Sequence, residues 1–177
     1  MKIPTIALFL TMFLALPALS SAQTNPVPKG YKLKKESDYK KYEQDVLKCI
    51  EWYDNTPVEK YPAIRQEVQE FLMMWHQGTP YVMIAISDLA MEGMEDNPTL
   101  LVTYMNGWSQ FVIKGGDETN KTDAMIAALN HTLDTYSNPK NGFKKSKHFD
   151  KLLKAREKGQ LKAMAEKEVK KLDAAKR

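Results

Sequence analysis

Cysteine is almost absent from this 177-residue chain. Cys49 stands alone, so no disulfide can form within the chain. Its flanks, Leu-Lys-Cys-Ile-Glu-Trp, read as the inside of a helix, which makes it a small buried hydrophobe. Histidine is nearly as scarce. His76, His131 and His148 are far apart in sequence and match no His-Glu-x-x-His or other ligand spacing, so no metal is expected. There is no Gly-x-Ser-x-Gly elbow and no alternation of strands and helices to carry one. Gly115-Gly116 is followed by Asp, not by Lys-Ser or Lys-Thr, which excludes a phosphate loop. Calcium loops are excluded too, because Glu92, Glu95 and Asp96, and again Asp117 and Glu118, lack the ligand alternation. No apolar run after residue 22 is long enough to span a bilayer, which takes about 20 residues.

What is present begins with an export signal. Lys2, an apolar run from Ile6 to Leu16, and the small residues Ser20-Ser21-Ala22 come in the order of a cleavable signal peptide. Cleavage after Ala22 leaves 155 residues beginning at Gln23, the size of one domain. The expected localisation is periplasmic or extracellular. Charge is divided unevenly. Residues 144–177 hold 13 Lys and Arg against 5 Asp and Glu, a net of +8; residues 23–142 hold 12 against 17, a net of −5.

Periodicity predicts helices nearly throughout. A leader at 23–35 carries Pro26, Pro28, Gly30 and four lysines. A helix capped by Ser37 then places Tyr39, Tyr42, Val46, Cys49, Ile50 and Tyr53 at three- and four-residue intervals. A second runs from Pro62 to His76, with Ile64, Val68, Phe71, Leu72 and Trp75 on one stripe. Residues 80–86, Pro-Tyr-Val-Met-Ile-Ala-Ile, fit either a helix or a short extended segment leading to a helix at 88–95 capped by Ser87; the helix is preferred. The central helix is opened by Asn97-Pro98 and closed by Gly115-Gly116, with Leu101, Tyr104, Met105, Trp108, Phe111 and Val112 on one face. Nothing catalytic is expected on it. A further helix opened by Thr122 ends at Ser137-Asn138-Pro139. Two charged helices with thin apolar stripes, 146–158 and 160–175, end the chain and should dock weakly.

The fold expected is an all-α, compact helical bundle of about five to seven helices. Residues 36–139 form its core domain, and 140–177 form a basic C-terminal helical hairpin. Its abundant methionines are read as core filling, with an adaptable apolar groove as a second use. Trp52, at the edge of its stripe beside Tyr53, is the aromatic expected to be partly exposed. Trp52, Tyr53, Lys144, Lys145, Lys147 and Lys151 are therefore the candidate partner contacts. With no catalytic set and no cofactor indicated, the expected function is non-catalytic binding of a protein or an anionic envelope polymer, without nucleic acid. A carrier holding a small molecule or metal inside the bundle is the alternative. A hydrolase using Glu92 or Glu95 ranks below it.

Overall fold

The helix α5, Thr99–Ile113, is the axis of the molecule. Every residue from Val102 to Ser109 is buried, polar ones included. A computed structural model describes residues 24–175; the signal-peptide reading of residues 1–22 lies outside the described residues. Around α5 lie α1 (Glu36–Lys41), α2 (Glu43–Asn55), α3 (Pro62–Gly78), the one-turn α4 (Asp88–Met91), α6 (Lys121–Ser137), α7 (Lys147–Glu157) and α8 (Leu161–Ala174). A single 3-10 turn, Pro139–Asn141, follows α6. There is no strand among the described residues, and the fold is an all-α bundle.

Among the described residues there are eight helices, because the first one expected is broken in two. The Trp75 indole N–H donates to the Tyr39 carbonyl at 3.0 Å. That carbonyl would otherwise take the amide of Glu43, so the ladder fails there and Tyr42 leaves helical geometry at ψ 6°. The cap differs too. Lys35, not Ser37, precedes the first turn, and the Asp38 carboxylate accepts the amides of Lys34 and Lys35, each at 3.0 Å. At the far end of α2, Arg65 takes the place of a cap. Its Nη2 donates to the carbonyls of Tyr53 and Pro57, at 3.3 Å each, and to that of Thr56. A buried cation there complements the negative end of the helix dipole.

The helix α6 packs on α5 at very close range. An added Cβ on Gly107 would stand 2.6 Å from the His131 Cβ and 2.9 Å from the Ala128 Cα. Only glycine permits that approach. The start of α6 is capped by Asn120, whose side chain accepts the Asp123 amide at 3.1 Å; Thr122 lies inside the first turn.

Further expectations are corrected. Residues 80–86 are not helical; the chain leaves α3 at Thr79 and runs as an open strap to Ser87, where α4 begins. Thr79-Pro80 could open a helix, but the Tyr81 ring packs edge-on against Trp75 and the Tyr104 hydroxyl donates to the Ala85 carbonyl, and these contacts hold the segment open. The C-terminal hairpin does not dock weakly. Phe149, Leu152, Leu161 and Ala165 are at most 5% exposed and belong to the same core as Trp75 and Trp108. The stripe is thin, but its members are buried against α6 and each other, and His148 reaches the Leu89 carbonyl just past the end of the strap. Asn97 ties the hairpin down further. Rather than capping α5, its amide exchanges two 2.8 Å hydrogen bonds with the backbone of Lys144.

Candidate functional site

Three polar residues of α5 fall on one side of the helix: Thr103, Asn106 and Ser109. Each is at most 1% exposed. Asp54 from the end of α2, His76 from the last turn of α3 and His131 from α6 converge on them. The Asp54 carboxylate accepts the Thr103 hydroxyl at 2.9 Å, the Asn106 amide at 3.3 and 3.4 Å, and His131 Nε2 at 2.7 Å. An ionised carboxylate only accepts, so His131 carries its proton on Nε2. Donation to Asp54 fixes the Asn106 amide, and its Oδ1 then faces His76 Nε2 at 3.1 Å. That nitrogen donates, which leaves Nδ1 to accept the Ser109 hydroxyl at 2.9 Å. Burial pushes the His76 imidazole down to about 4, so it is neutral at pH 7. From the Ser109 hydroxyl through imidazole and amide to the Asp54 carboxylate every link is made, and His131 closes the chain through Nε2.

These groups include the members of a hydrolytic triad, but the serine has no access to solvent and cannot meet a substrate in this arrangement. One member alone reaches the surface. The His131 side chain is 22% exposed, and its Nδ1 has no partner among the described residues. It lines a cleft of about 490 Å³ with Gln110, Lys114, Asn130 and Asp134. His76 lies in the last turn of α3, where a cation would suit the helix dipole, but it is a neutral core residue. His148 sits apart, its Nε2 on the Leu89 carbonyl at 3.0 Å and its Nδ1 by Glu92 at 3.2 Å. Among the described residues no group of three His, Cys, Asp or Glu side chains is placed to hold a metal ion.

The candidate contacts divide. Trp52 is 9% and Tyr53 2% exposed, so the expected exposure of Trp52 is corrected. The cause is Arg65, whose guanidinium lies 5.8 Å from the Trp52 ring and 4.6 Å from the Tyr53 ring while it holds the end of α2. Neither aromatic offers a surface. Lys144, Lys145, Lys147 and Lys151 are exposed as expected, along the entry and first turns of α7. Cys49 is fully buried, and burial raises its thiol to about 12, which leaves no thiolate for chemistry.

The methionines are of two kinds. Met94, Met105 and Met125 fill the core, whereas Met83, Met74 and Met91 are 74, 51 and 45% exposed. Met83 and Ile86 lie on the strap and Met91 closes α4, so one continuous segment carries three large exposed apolar side chains. Beside it is a cleft of about 570 Å³, walled by Met91, Met94, Pro98 and Leu101 and rimmed by the exposed carboxylates Asp88, Glu92 and Glu95. No helix among the described residues is long and apolar enough to cross a membrane. No family model matches this chain, and there is no match among the curated proteins or the solved structures.

Proposed function

We propose that this is an exported, non-catalytic binding protein whose partner is a polypeptide carrying basic and apolar side chains. The observation that supports it is the cleft beside α4, with apolar Met91, Met94, Pro98 and Leu101 inside a rim of Asp88, Glu92 and Glu95. Methionine adapts to varied apolar shapes, and carboxylates around it select cationic flanks. An amphipathic helix laid in a groove uses this combination. The triad-like groups fit the same reading, since their hydroxyl is buried and fully hydrogen-bonded.

Calorimetric titration with a synthetic amphipathic helix of lysine and leucine tests it. Binding should weaken as salt rises and fall at least tenfold in a Glu92→Lys, Glu95→Lys double variant. No heat with the wild-type protein, or equal affinity for an acidic peptide, removes the reading. Export is tested separately by sequencing the N-terminus of the envelope fraction, which should begin at Gln23. A second reading rests on Lys144, Lys147 and Lys151, exposed and without an ion-pair partner among the described residues. They suit an anionic envelope polymer.

A further inference from the structure

We propose, on the reading of the cleft beside α4 as the binding site, that His148 makes that site pH-sensitive. As its ring gains a proton it holds the Glu92 carboxylate away from the rim, and a basic partner binds less tightly. Both ring nitrogens face groups that accept. Nε2 stands 3.0 Å from the Leu89 carbonyl, so it donates. Nδ1 stands 3.2 Å from the Glu92 carboxylate, which when ionised also only accepts. A neutral ring has one N–H. With that proton on the carbonyl, its Nδ1 lone pair would point at a negative charge. The doubly protonated ring suits both neighbours.

Of the two partners, Glu92 is the one free to move. Its side chain is 74% exposed, that of His148 only 8%. The end of α4 and the start of α7 are in close contact, since an added Cβ on Gly93 would stand 2.8 Å from Ser146 Oγ and 2.9 Å from the His148 Cβ. The other charges at this joint hold one another. Asp88 of α4 lies by Lys171 of α8, which bonds Glu168 at 2.6 Å. Asp150 of α7 accepts the Tyr136 hydroxyl of α6 at 3.0 Å and has Lys145 at 3.9 Å. Glu95, also on the rim, makes no ion pair among the described residues. Burial opposes a charge on the ring, as do Lys144, Lys147 and Lys151 and the positive end of α7. Among the described residues Glu92 is the one carboxylate that meets it. Histidine is the side chain whose charge ordinarily changes between pH 5 and 8. At the acid end the charged ring holds and neutralises Glu92. At the other end the neutral ring repels it, and the carboxylate turns out to meet a cationic flank. Affinity for a basic partner therefore rises with pH.

Two measurements test it from pH 5.5 to pH 8, with wild type beside His148→Gln and Glu92→Gln. One is calorimetric titration with the lysine and leucine peptide. The other follows the Glu92 carboxyl carbon by NMR in the free protein. His148→Gln keeps a donor for the Leu89 carbonyl, and Glu92→Gln changes so exposed a position that the fold stays intact. Wild type should bind about threefold more tightly at pH 8 than at pH 5.5, and both variants should lose that difference. The Glu92 signal should step across the range in wild type and stay flat in His148→Gln. A flat signal in wild type overturns the proposal whatever the peptide does. So does a pH dependence of binding that persists in Glu92→Gln. A stepping signal in a protein that binds no peptide at any pH supports the hold of His148 on Glu92 and removes the reading of the cleft instead.

Discussion

At the scale of single residues, His76 shows how burial sets a protonation state that sequence position does not. A histidine in the last turn of a helix ordinarily gains from being charged. Here its two ring nitrogens meet an amide oxygen and a hydroxyl, neither of which ionises, and desolvation decides. The linkage follows directly. The unfolded imidazole titrates near 6.5 and the folded one near 4. Between those values the unfolded chain binds the extra proton, so stability falls as pH drops from about 6.5 to about 4 and is constant above. The full effect is about 3 kcal/mol. Urea unfolding at pH 7 and pH 4.5 should show most of this loss in the wild type. His76→Gln, which keeps a donor toward Asn106, should be less stable at pH 7 but lose much less on acidification. An equal acid slope in the two proteins would place the titrating group elsewhere.

At the scale of elements, most helices are legible in the sequence because apolar spacing and punctuation agree. Pro62 and Gly78 bound α3, and Ser137-Asn138-Pro139 ends α6. Legibility fails where a distant residue decides. Tyr42 breaks the first helix because Trp75, more than thirty residues on, takes a carbonyl from it. Residues 80–86 are apolar enough for a helix, and only their packing against Trp75 and Tyr104 keeps them open. The polar cluster was half legible. Thr103, Asn106 and Ser109 recur every three residues on an otherwise apolar helix, a spacing that marks a buried polar stripe. Their partners come from three other helices, as far as 77 residues from one another, which no local pattern encodes. The contact between α5 and α6 gives a sharp test. Gly107→Ala gains about 1 kcal/mol of helix propensity. The new methyl would meet the Ala128 backbone at 2.9 Å, which cannot turn aside, and the His131 side chain at 2.6 Å. Overpacking of this kind costs about 1–3 kcal/mol, so net of that gain the variant should be less stable by up to about 2 kcal/mol, read from its urea midpoint. Increased stability would mean that the helices are not this close.

At the scale of the whole molecule, charge and packing divide the chain differently. By charge, residues 144–177 are a separate basic piece with a net of +8 on a body of −5. By packing they are one wall of the core. Phe149, Leu152 and Leu161 are almost wholly buried against it, and such side chains contribute roughly 1.5–3 kcal/mol each. Polar ties run the same way: Tyr136 donates to Asp150 at 3.0 Å, Arg156 to Asp134 at 2.6 Å, and Lys121 pairs with Asp173. Surface ion pairs add little, so the apolar contacts decide the outcome. Together those three side chains account for about 5–9 kcal/mol, comparable to the entire net stability of an ordinary domain. A chain ending at Phe143 should therefore not fold to the native state. Its near-ultraviolet dichroism should be lost and its thermal transition should disappear or broaden, while the whole chain melts as a single unit. If the shortened chain instead melts sharply within a few degrees of the full one, the basic hairpin is an appendage, and the core closes on α6 without it.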